Sequence, residues 1–159
     1  MRQTLQTLIR NRGFTLIELM IVLFIIALAS AVALPSFYNM GRDTLKSDAK
    51  RLGSTLRYVY DESTSRKSTF SILFNLDEHT WQYEGTNDSK AYSTGKGIFF
   101  DDIEVPSLGK VSRGELVLLF NPLGPEEPIS IHLRKEDSEY TVKFNHISGR
   151  VRIYEGRNE

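Results

Sequence analysis

The sequence predicts an α+β protein in which a long N-terminal helix packs on a C-terminal antiparallel β-sheet or two-sheet domain. Two observations lead to this fold class. An apolar run near the N-terminus is followed by a stretch with apolar residues at three- to five-residue spacing, which is typical of a helix. From Thr69 onward, short runs with β-strand character are bounded by turn residues. A helix followed by such strands is expected to cover one face of the sheet.

The apolar run is long enough to cross a membrane. Every residue from Leu19 to Leu34 except Ser30 is apolar, and counting from Phe14 gives roughly 20 residues, about what an α-helix needs to span hydrocarbon. Pro35 follows the run directly. Because proline lacks an amide donor and its ring clashes with the preceding turn, we expect a kink in the helix there rather than its end.

Glu18 is the anomaly in this segment. A charged side chain within hydrocarbon costs at least ~2.5 kcal/mol on insertion scales, so an acid there indicates a function and a partner. If the chain is cut between Gly13 and Phe14, the new α-amine lies one helical turn before Glu18. With a pKa of about 7.7 to 8.0, that amine is available as an ammonium ion. It could pair with Glu18 of the same chain or of a neighbour, which would make the acid control assembly.

Three other interpretations of the segment compete with this one. The segment could be a secretory signal peptide, cut at Ala27-Leu28-Ala29 or Ala31-Val32-Ala33. It could be a plain membrane anchor, or Glu18 could be a tolerated accident. The first two leave the acid unexplained, and the signal peptide would also have an unusually long apolar core. Cleavage followed by charge pairing is therefore the favoured hypothesis.

Beyond Pro35 the helix is expected to continue to about Ser65 as an amphipathic stalk. The apolar stripe consists of Phe37, Met40, Leu45, Ala49, Leu52, Leu56 and Val59, with charged residues on the other faces. Seven β-like runs follow, at Phe70–Leu76, Thr80–Glu84, Ile98–Val105, Glu115–Phe120, Ile129–Arg134, Glu139–Asn145 and Arg150–Tyr154. Ile147-Ser148-Gly149 predicts a hairpin turn. Polar composition predicts surface loops at Gly85–Gly97 and Asn121–Pro128.

The charge distribution indicates how the chain is oriented. Arg2, Arg10 and Arg12 precede the apolar run in a segment without acids, which predicts a cytoplasmic N-terminus and a periplasmic C-terminal domain. The whole chain has 20 basic and 20 acidic residues. Without these three arginines it has 17 basic and 20 acidic residues, which gives a net charge of −3. That charge does not favour nucleic acid as a partner. With no cysteine among 159 residues, one domain of about 90 to 120 residues must be held by its core.

The sequence shows no basis for an enzyme, a metal site or a cofactor. His79, His132 and His146 are widely separated and lack the spacing of metal ligands, so we expect ordinary surface or strand residues. Asp101, Asp102 and Glu104 cluster before Pro106 but lack the glycine and ligand series of a calcium-binding loop. A solvated acidic turn is the expectation for them.

The stretch Gly13-Phe14-Thr15-Leu16-Ile17-Glu18, preceded by a basic leader and followed by an apolar helix, resembles the signal of type IV pilins and type II secretion pseudopilins. The resemblance implies that a prepilin peptidase cuts after Gly13 and N-methylates Phe14, and that Glu18 is needed for filament assembly. The chain would then comprise a leader at 1–13, a transmembrane and assembly helix at 14–34, an amphipathic continuation at 35–67 and a periplasmic β-rich domain at 68–159. Major pilins often carry a C-terminal disulfide loop, which this cysteine-free chain lacks.

Within that family, Phe120-Asn121-Pro122-Leu123-Gly124 and the later Ser148-Gly149-Arg150-Val151 resemble the H-type minor pseudopilins and their FimT-like relatives. Membership implies a structural subunit of the periplasmic pseudopilus that drives export of folded proteins. Its partners would be the prepilin peptidase, other pseudopilins, the inner-membrane secretion platform and the lipid bilayer. The alternative is a FimT-like minor type IV pilin in pilus priming or DNA uptake, with Arg150 and Arg152 as DNA contacts; the competing interpretation of these arginines is a solvated hairpin face.

Overall fold

The computed structural model describes residues 16–158, with the side chains of residues 29–43 excepted. The chain divides into two compact units, one ending at Tyr38 and the other running from Asn39 to the C-terminus. The predicted leader at 1–13 and the first two residues of the predicted membrane segment lie outside the described residues. So do the side chains of residues 29–34.

Helix α1 is 51 residues long, from Leu16 to Arg66, and its range includes Pro35. Whether the helix bends at Pro35 stays a prediction. Lys67 follows the last helical residue and has a positive φ of 51°. The amide of Ser68 then donates to the carbonyl of Ser63 over 3.2 Å, which is the six-to-one bond of a Schellman C-cap with lysine in the usual glycine position.

Nine strands follow and form two antiparallel sheets. Their bounds are β1 Phe70–Asn75, β2 Thr80–Glu84, β3 Ser89–Ser93, β4 Phe99–Val105, β5 Gly109–Val111, β6 Glu115–Phe120, β7 Ile129–Lys135, β8 Ser138–Asn145 and β9 Arg150–Glu155. The first sheet has the order β3-β2-β1-β6 and the second the order β5-β4-β7-β8-β9. Seven of these strands coincide with the predicted runs, and the predicted α+β fold class is confirmed.

Two strands were not predicted. Strand β3 lies within Gly85–Gly97, which had been expected to be a loop throughout, so that prediction is wrong for Ser89–Ser93. The segment is polar because it is an edge strand with little buried surface; its anchor is Tyr92, whose ring stacks on Trp81 at 5.3 Å. Strand β5 is only three residues long, too short to show a pattern.

The core lies between the helix stripe and the inner faces of both sheets. From the predicted stripe, Leu45, Ala49, Leu52, Leu56 and Val59 are all fully buried, whereas Phe37 and Met40 lie outside the described side chains. The five buried residues of the stripe pack with the buried aromatics Phe70, Phe74, Trp81, Phe120 and Phe144. Alternating apolar residues on the strands fill the remaining space. Side chains that repeat about every 3.6 residues on the helix therefore pack against side chains that repeat every 2 residues on the strands.

Two glycines allow close packing of the second unit. A Cβ on Gly53 would lie 2.9 Å from Cγ1 of Val151, which shows that the helix passes tightly over β9. Gly149 has a positive φ of 62°, and a Cβ there would lie 2.2 Å from Cε1 of Tyr60. The turn at Ile147-Ser148-Gly149 therefore forms as predicted, and it needs glycine both for its conformation and for its contact with the helix.

Candidate assembly segment and surface sites

The first turns of α1 present an apolar surface on every side. All residues from Leu16 to Leu28 are exposed, including Leu16 at 78% and Phe24 at 66%. A helix that is apolar all round needs a non-aqueous environment or other chains around it. Among the described residues, no helical segment meets the length and hydropathy required of a membrane span.

Glu18 is the one charged residue between Leu16 and Leu28, and it lies in the first turn of the described helix. Its side chain is exposed, although it takes part in an interaction within the chain. The amino end of a helix favours a negative charge, because its free amide groups give that end a partial positive charge. Gly13 and Phe14, the predicted cleavage and methylation sites, lie outside the described residues, so their roles stay predictions.

Arg150 and Arg152 project from the same face of β9 and are exposed. Lys143 lies directly opposite Arg152 on β8, so like charges face each other across the strand pair, an arrangement that is destabilising by itself. An open groove of 710 Å³ runs between α1 and β9, and Lys50, Arg57, Arg150 and Arg152 supply its basic residues. Its position could attract an anion, but the predicted DNA contact stays a prediction.

The groove is shaped partly by Arg57. This residue donates from Nη1 to the carbonyl oxygen of Gly149 over 3.1 Å and from Nε to Asp61 Oδ2 over 2.9 Å. The first contact fastens the helix to the β8–β9 turn. The second leaves Arg57 partly neutralised, so the uncompensated positive charge of the groove comes mainly from β9.

The C-terminal residues close over the outer face of the second sheet and form what we call the C-terminal clasp, made of Asp101, Asp102, Thr141 and Arg157. Arg157 donates from Nη1 to Asp101 Oδ2 over 2.9 Å and from Nη2 to Asp102 Oδ2 over 2.5 Å. Thr141 Oγ1 donates to the carbonyl of Gly156 over 2.8 Å. Hydrogen bonding to Asp102 raises the pKa of Arg157, so its guanidinium stays charged.

The clasp corrects the expectation of a solvated acidic turn. Asp101, Asp102 and Glu104 lie on strand β4, and Asp102 is only 5% exposed. A bulge in the pairing of β4 with β7 between Phe100 and Asp102 turns both aspartates toward Arg157. Both aspartates are therefore paired with the guanidinium of Arg157.

His132 lies beneath the clasp on β7 and is 1% exposed. Its Nδ1 lies 3.3 Å from Thr141 Oγ1, and its Nε2 lies 3.7 Å from Asp102 Oδ1. Burial lowers the pKa of His132, although the neighbouring Asp102 carboxylate partly offsets this. In another part of the fold, His79 accepts a hydrogen bond at Nδ1 from the amide of Phe100 over 3.3 Å. No group of three potential metal ligands occurs among the described residues.

A cluster of two tyrosines around Asp88 had no signal in the sequence. Tyr58 on α1 and Tyr83 on β2 both donate to Asp88 Oδ2, over 2.5 Å and 3.1 Å. The bond to Asp88 raises the pKa of Tyr58, burial raises the pKa of Tyr83, and the bond from Tyr58 lowers the pKa of Asp88. The cluster ties the β2–β3 turn to the helix, which indicates a structural role.

Comparisons with known proteins agree with this architecture. A family model described as the prokaryotic N-terminal methylation motif matches residues 8–34. The type IV major pilin protein PilA of Myxococcus xanthus is 47% identical over 62 residues, which cover 39% of this chain and 26% of that protein. The type II secretion system protein H of Klebsiella michiganensis is 26% identical over 124 residues, 78% of this chain and 66% of that protein. The chain thus matches less than two thirds of the length of either relative.

Two solved structures share the fold. The type IV minor pilin FimU of Pseudomonas aeruginosa superposes with a TM-score of 0.51 at 16% identity, over 71% of this chain and 90% of that one. The minor pseudopilin EpsH from the type 2 secretion system of Vibrio cholerae gives a TM-score of 0.52 at 15% identity, over 70% of this chain and 96% of that one. At these identities the likeness concerns the fold.

A methylation-type N-terminal motif, an apolar helix and a two-sheet α+β domain together define a prepilin-like subunit. The chain carries the methylation motif of these families, and it is similar to type IV pilins and type II secretion pseudopilins, including the H-type minor members. The resemblance predicted from the sequence is therefore confirmed.

Proposed function

We propose that this chain is a minor pseudopilin of a type II secretion system, a structural subunit of the periplasmic pseudopilus that drives export of folded proteins. The observation that carries the proposal is the placement of Glu18, which is the one charge on an otherwise apolar helix surface from Leu16 to Leu28 and lies within the methylation motif. Similarity to the type II secretion system protein H over 78% of the chain supports the assignment to secretion.

The mechanism is charge pairing on assembly. Cleavage between Gly13 and Phe14 produces an ammonium group one helical turn from Glu18. Pairing that group with Glu18 of an adjacent subunit would neutralise both charges away from water and set the axial stagger between subunits. Before assembly the chain is anchored in the inner membrane, with its N-terminus cytoplasmic and its second unit periplasmic, and it engages the secretion platform there.

The test replaces Glu18 by alanine or by the neutral, similarly sized glutamine in cells that express the complete secretion system. Both variants are expected to be cleaved normally but to be lost from sheared or crosslinked filaments, because the apolar helix remains while the pairing charge is gone. Leu19→Ala is the matched control, since it alters an exposed neighbour without changing charge. Full incorporation of Glu18→Gln would refute the pairing mechanism.

Mass analysis of the N-terminus tests processing separately. A mature chain that begins with N-methylated Phe14 is expected. Retention of residues 1–13 in functional filaments, or a start near Ser30, would overturn the assignment.

A minor type IV pilin is the second candidate, favoured by the fold of FimU and by the exposed Arg150 and Arg152 on β9. A role in DNA uptake predicts that the second unit retards double-stranded DNA at low salt and that Arg150→Ala with Arg152→Ala abolishes the shift. A secretion subunit predicts no shift, and instead a defect in exoprotein export when the chain is deleted.

A further inference from the structure

Strand β6 is an edge strand with apolar side chains on both of its faces. It pairs with β1 on one side and ends the order β3-β2-β1-β6. Leu116, Leu118 and Phe120 point into the core, whereas Val117 is 53% exposed and Leu119 is 57% exposed. A strand that is apolar on both faces is typical of the interior of a sheet, so β6 has the composition of a strand that is covered.

The main chain of β6 is available at these same residues. The amide of Leu76 donates to the carbonyl of Gly114 over 2.9 Å, and the register continues through Phe74↔Leu116 and Ile72↔Leu118. In an antiparallel ladder, hydrogen-bonded and non-hydrogen-bonded pairs alternate. The amide and carbonyl groups of Val117 and Leu119 must therefore point away from β1, and the hydrogen bonds among the described residues give them no partner.

The other sheet edges carry features that discourage pairing. Natural proteins protect edges with charged side chains, short strands, prolines or bulges. Strand β3 is polar and carries Lys90, strand β5 has three residues and includes Lys110, and β9 carries Arg150 and Arg152. Strand β6, with the sequence ELVLLF, has no proline, no cation and an unbroken register with β1. It is the edge in the described part of the chain that is left open to another strand.

A groove of 340 Å³ runs beside this edge and has an acidic wall. Val117 and Leu119 line one side, and the loop residues Pro125, Glu126 and Glu127 line the other. Glu127 Oε2 accepts a hydrogen bond from the amide of Ser107 over 2.8 Å, which holds the loop in position. No lysine or arginine lines the groove, so its field favours a basic occupant and disfavours a second copy with the same glutamates.

We propose that β6 accepts an extended segment of another filament subunit as an added strand of the first sheet. Main-chain hydrogen bonds at Val117 and Leu119 would set its register, branched apolar side chains at alternate positions would cover the exposed faces, and a flanking lysine or arginine would lie near Glu126 and Glu127. That the segment comes from a filament subunit rests on the proposed function; the chemistry of the segment rests on the groove alone.

The test measures binding of a fluorescent peptide, KVTVTVK, to the full chain in phosphatidylcholine nanodiscs, with empty nanodiscs as background. Three results are expected. The wild-type chain binds the peptide, and binding falls about tenfold or more in the double variant Val117→Thr with Leu119→Thr. Binding is unchanged in Ile147→Thr, which alters an exposed apolar residue that does not line the groove. Threonine retains strand propensity, and circular dichroism confirms that the variants fold.

Two altered peptides decide the mode of binding. A peptide N-methylated on its internal amides keeps its charge but cannot donate main-chain hydrogen bonds, and it is expected not to bind. The charge-reversed peptide EVTVTVE is expected to bind more weakly.

Equal binding of the N-methylated peptide, or no effect of the double threonine variant, would overturn strand addition. A wild-type dimer in sedimentation that the double variant dissociates would show instead that a second copy occupies the edge. None of these results depends on Glu18, so they leave the test of the proposed function independent.

Discussion

Replacing Arg157 by alanine is expected to destabilise the second unit by about 2 kcal/mol, a value that follows from two competing responses. If the C-terminal tail stays in place, Asp102 loses the guanidinium 2.5 Å away while its own side chain is only 8% exposed. Removing one partner of a buried ion pair costs about 3 to 5 kcal/mol. Arg157 itself is 32% exposed, so solvent screening places this case at or below the lower end.

The second response is release of the tail, which would let water reach Asp102. It breaks the bonds from Thr141 to Gly156, from the amide of Gly156 to Glu139 and from the amide of Asn158 to Thr141. Three such bonds contribute about 0.5 to 1.5 kcal/mol each, and the freed backbone regains roughly 1 to 2 kcal/mol per residue in entropy. Because the entropy regained offsets the bonds that are broken, release of the tail keeps the loss of stability below the roughly 3 kcal/mol of the first response. We therefore expect a loss of about 2 kcal/mol.

Urea unfolding of residues 39–159, which contain every buried residue of the described core, measures the change. In thermal unfolding of the same segment, this loss corresponds to roughly 8 °C. Arg134→Ala is the matched control, because Arg134 is 54% exposed and lies 3.4 Å from Asp101; it is expected to cost less than about 0.5 kcal/mol. Faster amide exchange at Gly156 and Asn158 would show tail release. If Arg157→Ala costs no more than Arg134→Ala, the clasp does not stabilise the fold.

Two further predictions concern stability. Gly149→Ala is expected to destabilise the protein more than Gly109→Ala. Both glycines have positive φ, but only a Cβ at position 149 would clash with Tyr60, at 2.2 Å. The difference between their free energies of unfolding in urea therefore measures the clash, and equal losses would contradict it. Because burial lowers the pKa of His132 in the fold, the unfolded chain binds more protons just below pH 6.5, and stability should fall as the pH drops through and below that value. His132→Phe should flatten this dependence between pH 5 and 7; an unchanged slope would show that other groups cause it.

The parts of the fold that were predicted depend on repeating local patterns. The helix stripe from Leu45 to Val59 is buried as its spacing indicated, because every member packs on the same core. Strand β3 was missed because an edge strand with Tyr92 as its one anchor needs no apolar alternation. Strand β5 was missed because three residues cannot establish a period.

The clasp was missed for a different reason. Its members come from β4 (Asp101 and Asp102), from β8 (Thr141) and from the C-terminal tail (Arg157), and nothing in their sequence spacing relates them. Charged residues are rarely buried without a partner, and the partner of Asp102 lies 55 residues away, so no local pattern indicates that this acid is buried. Sequence patterns thus predicted the apolar surfaces of the helix better than they predicted long-range polar contacts.

The burial pattern places the proposed assembly contacts apart from the contacts that hold the core. Every buried apolar residue of the described core lies between Leu45 and Phe144, and none lies among the exposed residues 16–28. A change at Glu18 therefore removes no contact from the core, and a defect in that variant reports on contacts between chains. In the second unit, the apolar stripe of the helix is buried in the unit's own core. Among the described residues, β6 is the sheet edge with exposed apolar side chains, at Val117 and Leu119. Helix contacts near Glu18 and strand contacts at β6 would then be independent, and their effects on filament incorporation should add.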